Sequence, residues 1–246
     1  LEIDMNRFRS ACALAALAAV SSSFAAPINS IAPGSLTGGQ LTTFDDVAGG
    51  GAPGTNYNGV FVSGGVSFAE RFVGQSLSNV GGFDTLSGTP GAPLALQLGA
   101  VDQNLNIFLN FSSQVLTGLG PLGFPDSDAI GEGSFAALFS TDQSEFGFDL
   151  VGGNGGSATV NFFRRDGSLI DAIVLNSLSD QSYAFARDAN VFDIAGISIH
   201  NNDLGGIGFD NLRFNVPSTG GTVPEPATLA LVGLALAGIG MSRRKA

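Results

Sequence analysis

An all-β domain, two antiparallel sheets packed as a β-sandwich with jelly-roll winding, is predicted for the middle of this 246-residue chain, with one short helix expected at each terminus. Three observations predict it. Apolar residues in the middle recur with a period of two, which puts alternate side chains on one face of a strand, and nowhere with the helical period of about 3.6. The 36 glycines, together with Pro, Asn and Asp, cut these runs to strand length. With 20 phenylalanines, no tryptophan and 44% apolar residues, the chain can build one good-sized aromatic core.

At the N-terminus, Met5 opens a basic stretch with Arg7 and Arg9, Ala11 to Val20 is apolar, and Ser21 to Ala26 is small. These are the three regions of a secretory signal, expected to form a helix and to engage the Sec machinery. Residues 1–4 read as sequence upstream of the start. Ser23 and Ala25 supply the small side chains a signal peptidase needs, so cleavage is expected before Ala26. A cut one residue later would put Phe24 in a small-residue site and Pro27 beside the scissile bond. Cys12, the only cysteine, lies in this segment and leaves with it, so the exported domain is expected to hold no disulfide. Arg9, Ser10 and Ala11 before Cys12 do not make the apolar lead-in of a lipoprotein signal.

The domain itself is expected over 26–217. Strands are predicted at 59–68, at Leu94, Leu96 and Leu98, at Leu105, Ile107, Leu109 and Phe111, over 134–140, at Phe146, Phe148 and Leu150, at Val160 and Phe162, and over 169–175, 190–200 and 207–216. That makes about ten strands. Asp166-Gly167, between the apolar runs ending at Phe163 and resuming at Leu169, predicts a hairpin, because Asp-Gly readily takes positive φ. The last strand breaks parity: Ile207 and Phe209 point one way, while Leu212, Phe214 and Val216 sit on the other phase. A bulge near Asp210 and Asn211 reconciles them.

Ser218 to Thr222 reads as a flexible stalk over 218–222. Beyond it, 223–246 holds Val223-Pro224-Glu225-Pro226, an apolar run from Ala227 to Met241, and Ser242-Arg243-Arg244-Lys245-Ala246. The triad, the short hydrophobic helix and the Arg-rich end together resemble the PEP-CTERM sorting tail. Fifteen apolar residues make a helix of roughly 22 Å, short of a hydrocarbon core of about 30 Å, so the tail associates transiently with the inner membrane and spans it poorly. Its basic end stays cytoplasmic, which leaves Pro224, Glu225 and Pro226 at the outer face. The resemblance implies an exosortase-type processing enzyme as partner, with Arg243 and Arg244 part of the signal. It also implies delivery to the cell surface or outside, among the exopolysaccharide of a biofilm matrix.

Five of the ten basic residues lie in the terminal segments, so the middle sets eighteen acids against five arginines, about −13, and has no lysine. Nucleic acid is excluded as a partner, since phosphate binding relies on clustered Lys and Arg. His200 is the only imidazole and no Gly-x-Ser-x-Gly elbow is present, which excludes the usual nucleophile–base pairing and an ordinary zinc site. His200, at a strand end beside Asn201 and Asn202, is expected to be a solvated turn residue. Glu70, Glu132 and Glu145 offer carboxyl pairs for glycoside chemistry, but sequence gives no separation between them. With no recognisable catalytic motif, a non-enzymatic protein is expected.

Calcium is the inorganic ligand such an acidic exported domain suits. Asp126 to Glu132 begins like a calcium loop, yet Ile130 takes a ligand position and Ala137 stands where the closing Glu belongs, so it reads as a solvated loop. Thr43-Phe44-Asp45-Asp46 and Gly208-Phe209-Asp210-Asn211-Leu212 resemble the terminal strands of secreted jelly rolls, including galactose-binding-like and carbohydrate-binding modules. That resemblance implies a structural calcium held by Asp45 or Asp46 with Asp210. The expected function is an exported surface or matrix protein. The alternatives are a secreted polysaccharide-acting enzyme and a self-associating adhesive protein.

Overall fold

A computed structural model describes residues 27–110 and 112–215. The signal segment with Ser23, Ala25 and Ala26, the stalk, the tail with Pro224, Glu225, Pro226, Arg243 and Arg244, and Phe111 all lie outside the described residues.

Two antiparallel sheets make a β-sandwich. The larger runs in the order β1 (Ile28–Ile31), β17 (Gln181–Arg187), β14 (Glu145–Val151), β19 (Gly208–Phe214), β11 (Ser113–Leu119), β10 (Leu105–Asn110), β3 (Thr55–Tyr57). To it β2 (Gln40–Thr42) adds on β19 and β12 (Ile130–Gly133) on β11. The smaller runs β16 (Leu169–Asn176), β15 (Ser157–Phe163), β18 (Ile194–Asn201), β13 (Phe135–Gln143), β5 (Val66–Ala69), β4 (Phe61–Ser63). From β13 to β19 the chain crosses between the sheets at every step except the β15–β16 hairpin, which is the winding of a jelly roll. Two small ladders complete the fold, β6 (Arg71–Phe72) with β9 (Leu96–Gln97), and β7 (Ser76–Val80) with β8 (Phe83–Ser87). Among the described residues the helices are single 3₁₀ turns, and none is long and apolar enough to cross a membrane.

Phenylalanine fills the space between the sheets. Phe135 of β13 meets Phe209 of β19 edge-on at 4.7 Å, Phe162 of β15 meets Phe185 of β17 at 5.3 Å, and Phe139 meets Phe214 at 5.3 Å. Each pair joins one sheet to the other, and offset or edge-on rings are the favoured aromatic geometry. The expected bulge in the last strand is present. Asp149 pairs with Asp210 and Gly147 with Arg213, so β19 carries one extra residue, and Asn211 takes φ 50° there. That extra residue turns Ile207, Phe209, Leu212 and Phe214 all into the core.

The predicted hairpin also forms, on a turn that is one step longer. Gly167 N–H donates to the Arg164 carbonyl and Arg164 N–H to the Ser168 carbonyl, and only Gly167, at φ 81°, is left-handed. Other boundaries differ from expectation for local reasons. The 59–68 run folds back on itself at Gly64-Gly65, both at positive φ, to give β4 and β5. Of the Leu94–Leu98 run only Leu96–Gln97 pairs, because Leu94 is turned down as a buried plug. The 190–200 strand starts at Ile194, after a 3₁₀ turn at Asp188–Asn190. Strands β1, β2, β3, β6, β7, β8, β11, β12 and β17 were not predicted. Most are short or polar, and β17 (Gln181–Arg187) hides its alternation behind Ala184 and Ala186.

The fold has a third layer. Phe72, Leu94, Ala136, Phe163 and Ala195 form a second apolar cluster on the outer side of the six-stranded sheet, under the two small ladders. Gly196 makes room for it, since a Cβ there would lie 2.6 Å from the Phe72 ring. This layer covers one end of the sheet and leaves a groove along the rest.

Candidate functional site

The groove is built by the alternation of β15. Ala158, Val160 and Phe162 face the core, which turns Ser157, Thr159 and Asn161 outward at about 6.8 Å intervals. The cross-strand register sets His200 beside Thr159 and Ser198 beside Asn161, and on the other flank Asn176 beside Ser157 and Val174 beside Thr159. The β7–β8 hairpin forms the facing wall. A cavity of about 200 Å³ lies between Val80 and Thr85 of the hairpin and Ser157, Thr159, His200, Asn201 and Asn202. A second, of about 130 Å³, continues along β15 past Asn161 and Phe163 against Leu86, Ser87 and Gly88. Hydroxyls and amides line both, the His200 imidazole lines the first, and neither is lined by Asp, Glu, Lys or Arg.

His200 is not the solvated turn residue the sequence predicted. It lies within β18, because β15 pairs with β18 through Asn201. Burial holds its imidazole below the usual pKa, so the ring is neutral at pH 7, and its Nδ1 is buried without a hydrogen-bond partner. Gln75 Nε2 donates to Ser198 Oγ at 3.1 Å and Gln75 Oε1 accepts from Phe72 N–H at 2.9 Å, which pins the covering layer to the sheet beside the groove.

Behind the hairpin lies a charged cluster. Glu70, 1% exposed, pairs with Arg71, and Asp84, 3% exposed, accepts from Ser134 N–H at 3.4 Å. Burial pushes the Asp84 carboxyl up to about 6, against the pull of Ser134 and the Arg71 charge. Glu132 is also raised, by burial and by Asp128 and Asp126. Glu145 is elsewhere: its carboxylate accepts from Thr37 N–H at 2.9 Å, from Thr37 Oγ1 and from Gly38 N–H, tying the N-terminal segment down. The carboxyls considered for glycoside chemistry are therefore split between two places. Asp126 caps the 3₁₀ turn at Ser127–Ala129 through Asp128 N–H.

The acids at the chain ends come only partly together. Asp46 turns to Ser63 Oγ and Gly64 N–H; burial raises its carboxyl but these hydrogen bonds outweigh it and hold it below the usual range. Asp210 accepts from Ser113 Oγ at 2.6 Å and from Asn211 N–H at 2.6 Å, and burial, with the Asp45 and Asp149 charges, pushes it up. Both oxygens of Asp46 and of Asp210 thus already serve protein donors. Among the described residues no group of three or more His, Cys, Asp or Glu is placed to hold a metal ion. The arginines are similarly engaged, Arg164 and Arg187 with Asp193, and Arg165 with Asp142.

Sequence reasoning missed Ser157, Thr159 and Asn161. The signal was present, since a strand with one apolar phase must show its other phase to something, but nothing local tells solvent from a groove.

Against protein-family models, the chain matches the PEP-CTERM protein-sorting motif over residues 222–245. It is an exported protein sorted through its C-terminal tail, and the motif implies processing by an exosortase. No curated protein matches the chain. Among solved structures, a non-crystalline cellulose specific carbohydrate-binding module, CBM28, aligns at 15% identity and a TM-score of 0.27, over 46% of this chain and 80% of that one.

Proposed function

We propose that this is a non-catalytic surface protein which, once its tail has been processed, associates with the exopolysaccharide matrix around the cell. The observation that carries the reading is the pairing of a sorting tail with a domain whose open groove is lined by uncharged hydrogen-bonding groups. The domain's strong negative charge disfavours polyanions. A polymer of hydroxyl groups meets no such penalty.

An enzyme acting on the same polymers needs two carboxyls facing substrate, one of them holding its proton. Asp84 has the raised pKa, but it and Glu70 are buried against Arg71 and line neither cavity of the groove. A self-associating protein would use an open sheet edge. The longest edge strand of the smaller sheet, β16, carries Asp171 as its third residue, accepting from Ala172 N–H at 2.8 Å and from Ile28 N–H at 3.1 Å. A carboxylate there both ties β16 to β1 and deters another strand from adding.

The test is retention of the exported protein by the extracellular polysaccharide of cells that make it, with calcium and with chelator. Retention in both supports the reading, and retention only with calcium adds a metal to it. No retention in either removes it.

A further inference from the structure

The groove is more specific than a generally polar surface. Its outward side chains form three rungs across the smaller sheet: Asn176 and Ser157, then Val174, Thr159 and His200, then Ala172 and Asn161, with Ser198 beside Asn161 covered by Gln75. The rungs repeat at about 6.8 Å along β15, so a ligand that exploits them all must itself be extended and periodic. Hydroxyls and amides both donate and accept, which matches ligand hydroxyls that do the same. His200 lines the first cavity from the second rung, so its imidazole edge borders the groove between Thr159 and the hairpin.

The flanks supply the other half of the match. Val80 on the hairpin is 60% exposed, and Val174 and Leu169 on β16 are 55% and 48% exposed, so apolar side chains line both margins of a polar floor. A sugar ring has the same division, with hydroxyls at its rim and C–H groups on its faces. No cation lines either cavity to neutralise a carboxylate or sulfate, and the domain around them is acidic. An anionic polymer would lose solvation and gain no partner.

We propose that the groove between the β7–β8 hairpin and β15 binds a single strand of uncharged polysaccharide, laid along β15 with its hydroxyls on Ser157, Thr159, Asn161 and His200. This rests on the matrix-binding reading and adds the ligand class, the place and the direction.

The experiment separates the extracellular polysaccharide of producing cells into neutral and acidic fractions by anion exchange, and measures the mobility of the intact exported protein in gels containing each. The neutral fraction retards the protein at concentrations about ten-fold below any effect of the acidic one. Thr159→Val with Asn161→Leu removes two rungs while keeping side-chain volume, and weakens retardation about ten-fold. Ser182→Ala, on the other sheet, leaves it unchanged. Thr159→Val alone carries the same test if the double variant melts lower than wild type. Retardation of the groove variants equal to wild type, or preference for the acidic fraction, overturns the assignment and leaves the matrix reading standing. A wild-type protein retarded by neither fraction takes down the matrix reading itself, and the assignment with it.

Discussion

Between its two sheets the domain buries phenylalanine, whereas between the smaller sheet and the ladders that cover it, it buries Glu70, Asp84, Gln75 and Ser198, with Arg71 half-buried beside them, alongside a small apolar cluster. The first layer is held by area and ring packing, which add up over many contacts and respond little to pH. The second depends on specific partners, and each buried group that loses one costs the fold. The difference teaches where function can sit. A close-packed aromatic core offers no room for a ligand, while a layer joined by a few hydrogen bonds can stand away from its sheet and leave a groove.

The largest expected effect comes from breaking the first layer. Phe162 is fully buried and packs on Phe185 across the sheets, so Phe162→Ala lowers unfolding free energy by about 3–5 kcal/mol, read from urea titration. Leu86→Ala, in the hairpin, removes a similar kind of side chain from the covering layer. Hydrogen exchange then quickens throughout the domain in the Phe162 variant, and in the Leu86 variant mainly at β7 and β8. Equal loosening of the whole domain by Leu86→Ala would show that the layers are one cooperative unit and end the comparison.

The next effect belongs to the second layer and has a sign. Asp84 titrates at about 6 in the folded protein against about 3.9 unfolded. Between these values the folded state binds the extra proton, so stability rises as pH falls from about 6 to about 4. The full difference is worth about 2–3 kcal/mol. Asp210, raised by burial, has the same sign. In Asp84→Asn most of that rise disappears from urea titrations run at pH 7, 6, 5 and 4. An unchanged slope would mean that Asp84 is hydrated and the hairpin does not seal it.

These two layers were unequally legible. The core could be read because Phe146, Phe148 and Leu150, or Val160 and Phe162, carry their burial in a period of two. Even the bulge at Asp210 and Asn211 showed as a break in phase. The covering layer could not, since Arg71–Phe72 and Leu96–Gln97 pair over two residues each and Ser76–Val80 is mostly polar. Their positions are set by contacts far away in sequence, such as Gln75 with Ser198. His200 was placed at the end of its strand but read as solvated, for the same reason. Its neighbours Asn201 and Asn202 look like a turn, but pairing with Thr159 keeps it in the strand. At the two ends of the domain the Asp45 charge reaches Asp210, while Asp46 faces Ser63 and Gly64.

His200 gives the smallest and most discriminating effect, because it opposes Asp84 in the same pH range. Its folded pKa is depressed by burial, so it contributes stability above about 6.5 that is lost as pH falls and the unfolded chain takes up the proton first. The wild-type rise on acidification is therefore smaller than Asp84 alone would make it. His200→Gln removes the loss and exposes the Asp84 rise, Asp84→Asn removes the rise and exposes the loss, and the double variant is flatter than both. A neutral polysaccharide bound on the second rung buries the imidazole further and pushes its pKa lower still. Saturation with the neutral fraction then moves the acid loss to lower pH in wild type and leaves His200→Gln unmoved. A shift seen equally in both would place the bound polymer somewhere other than against this ring.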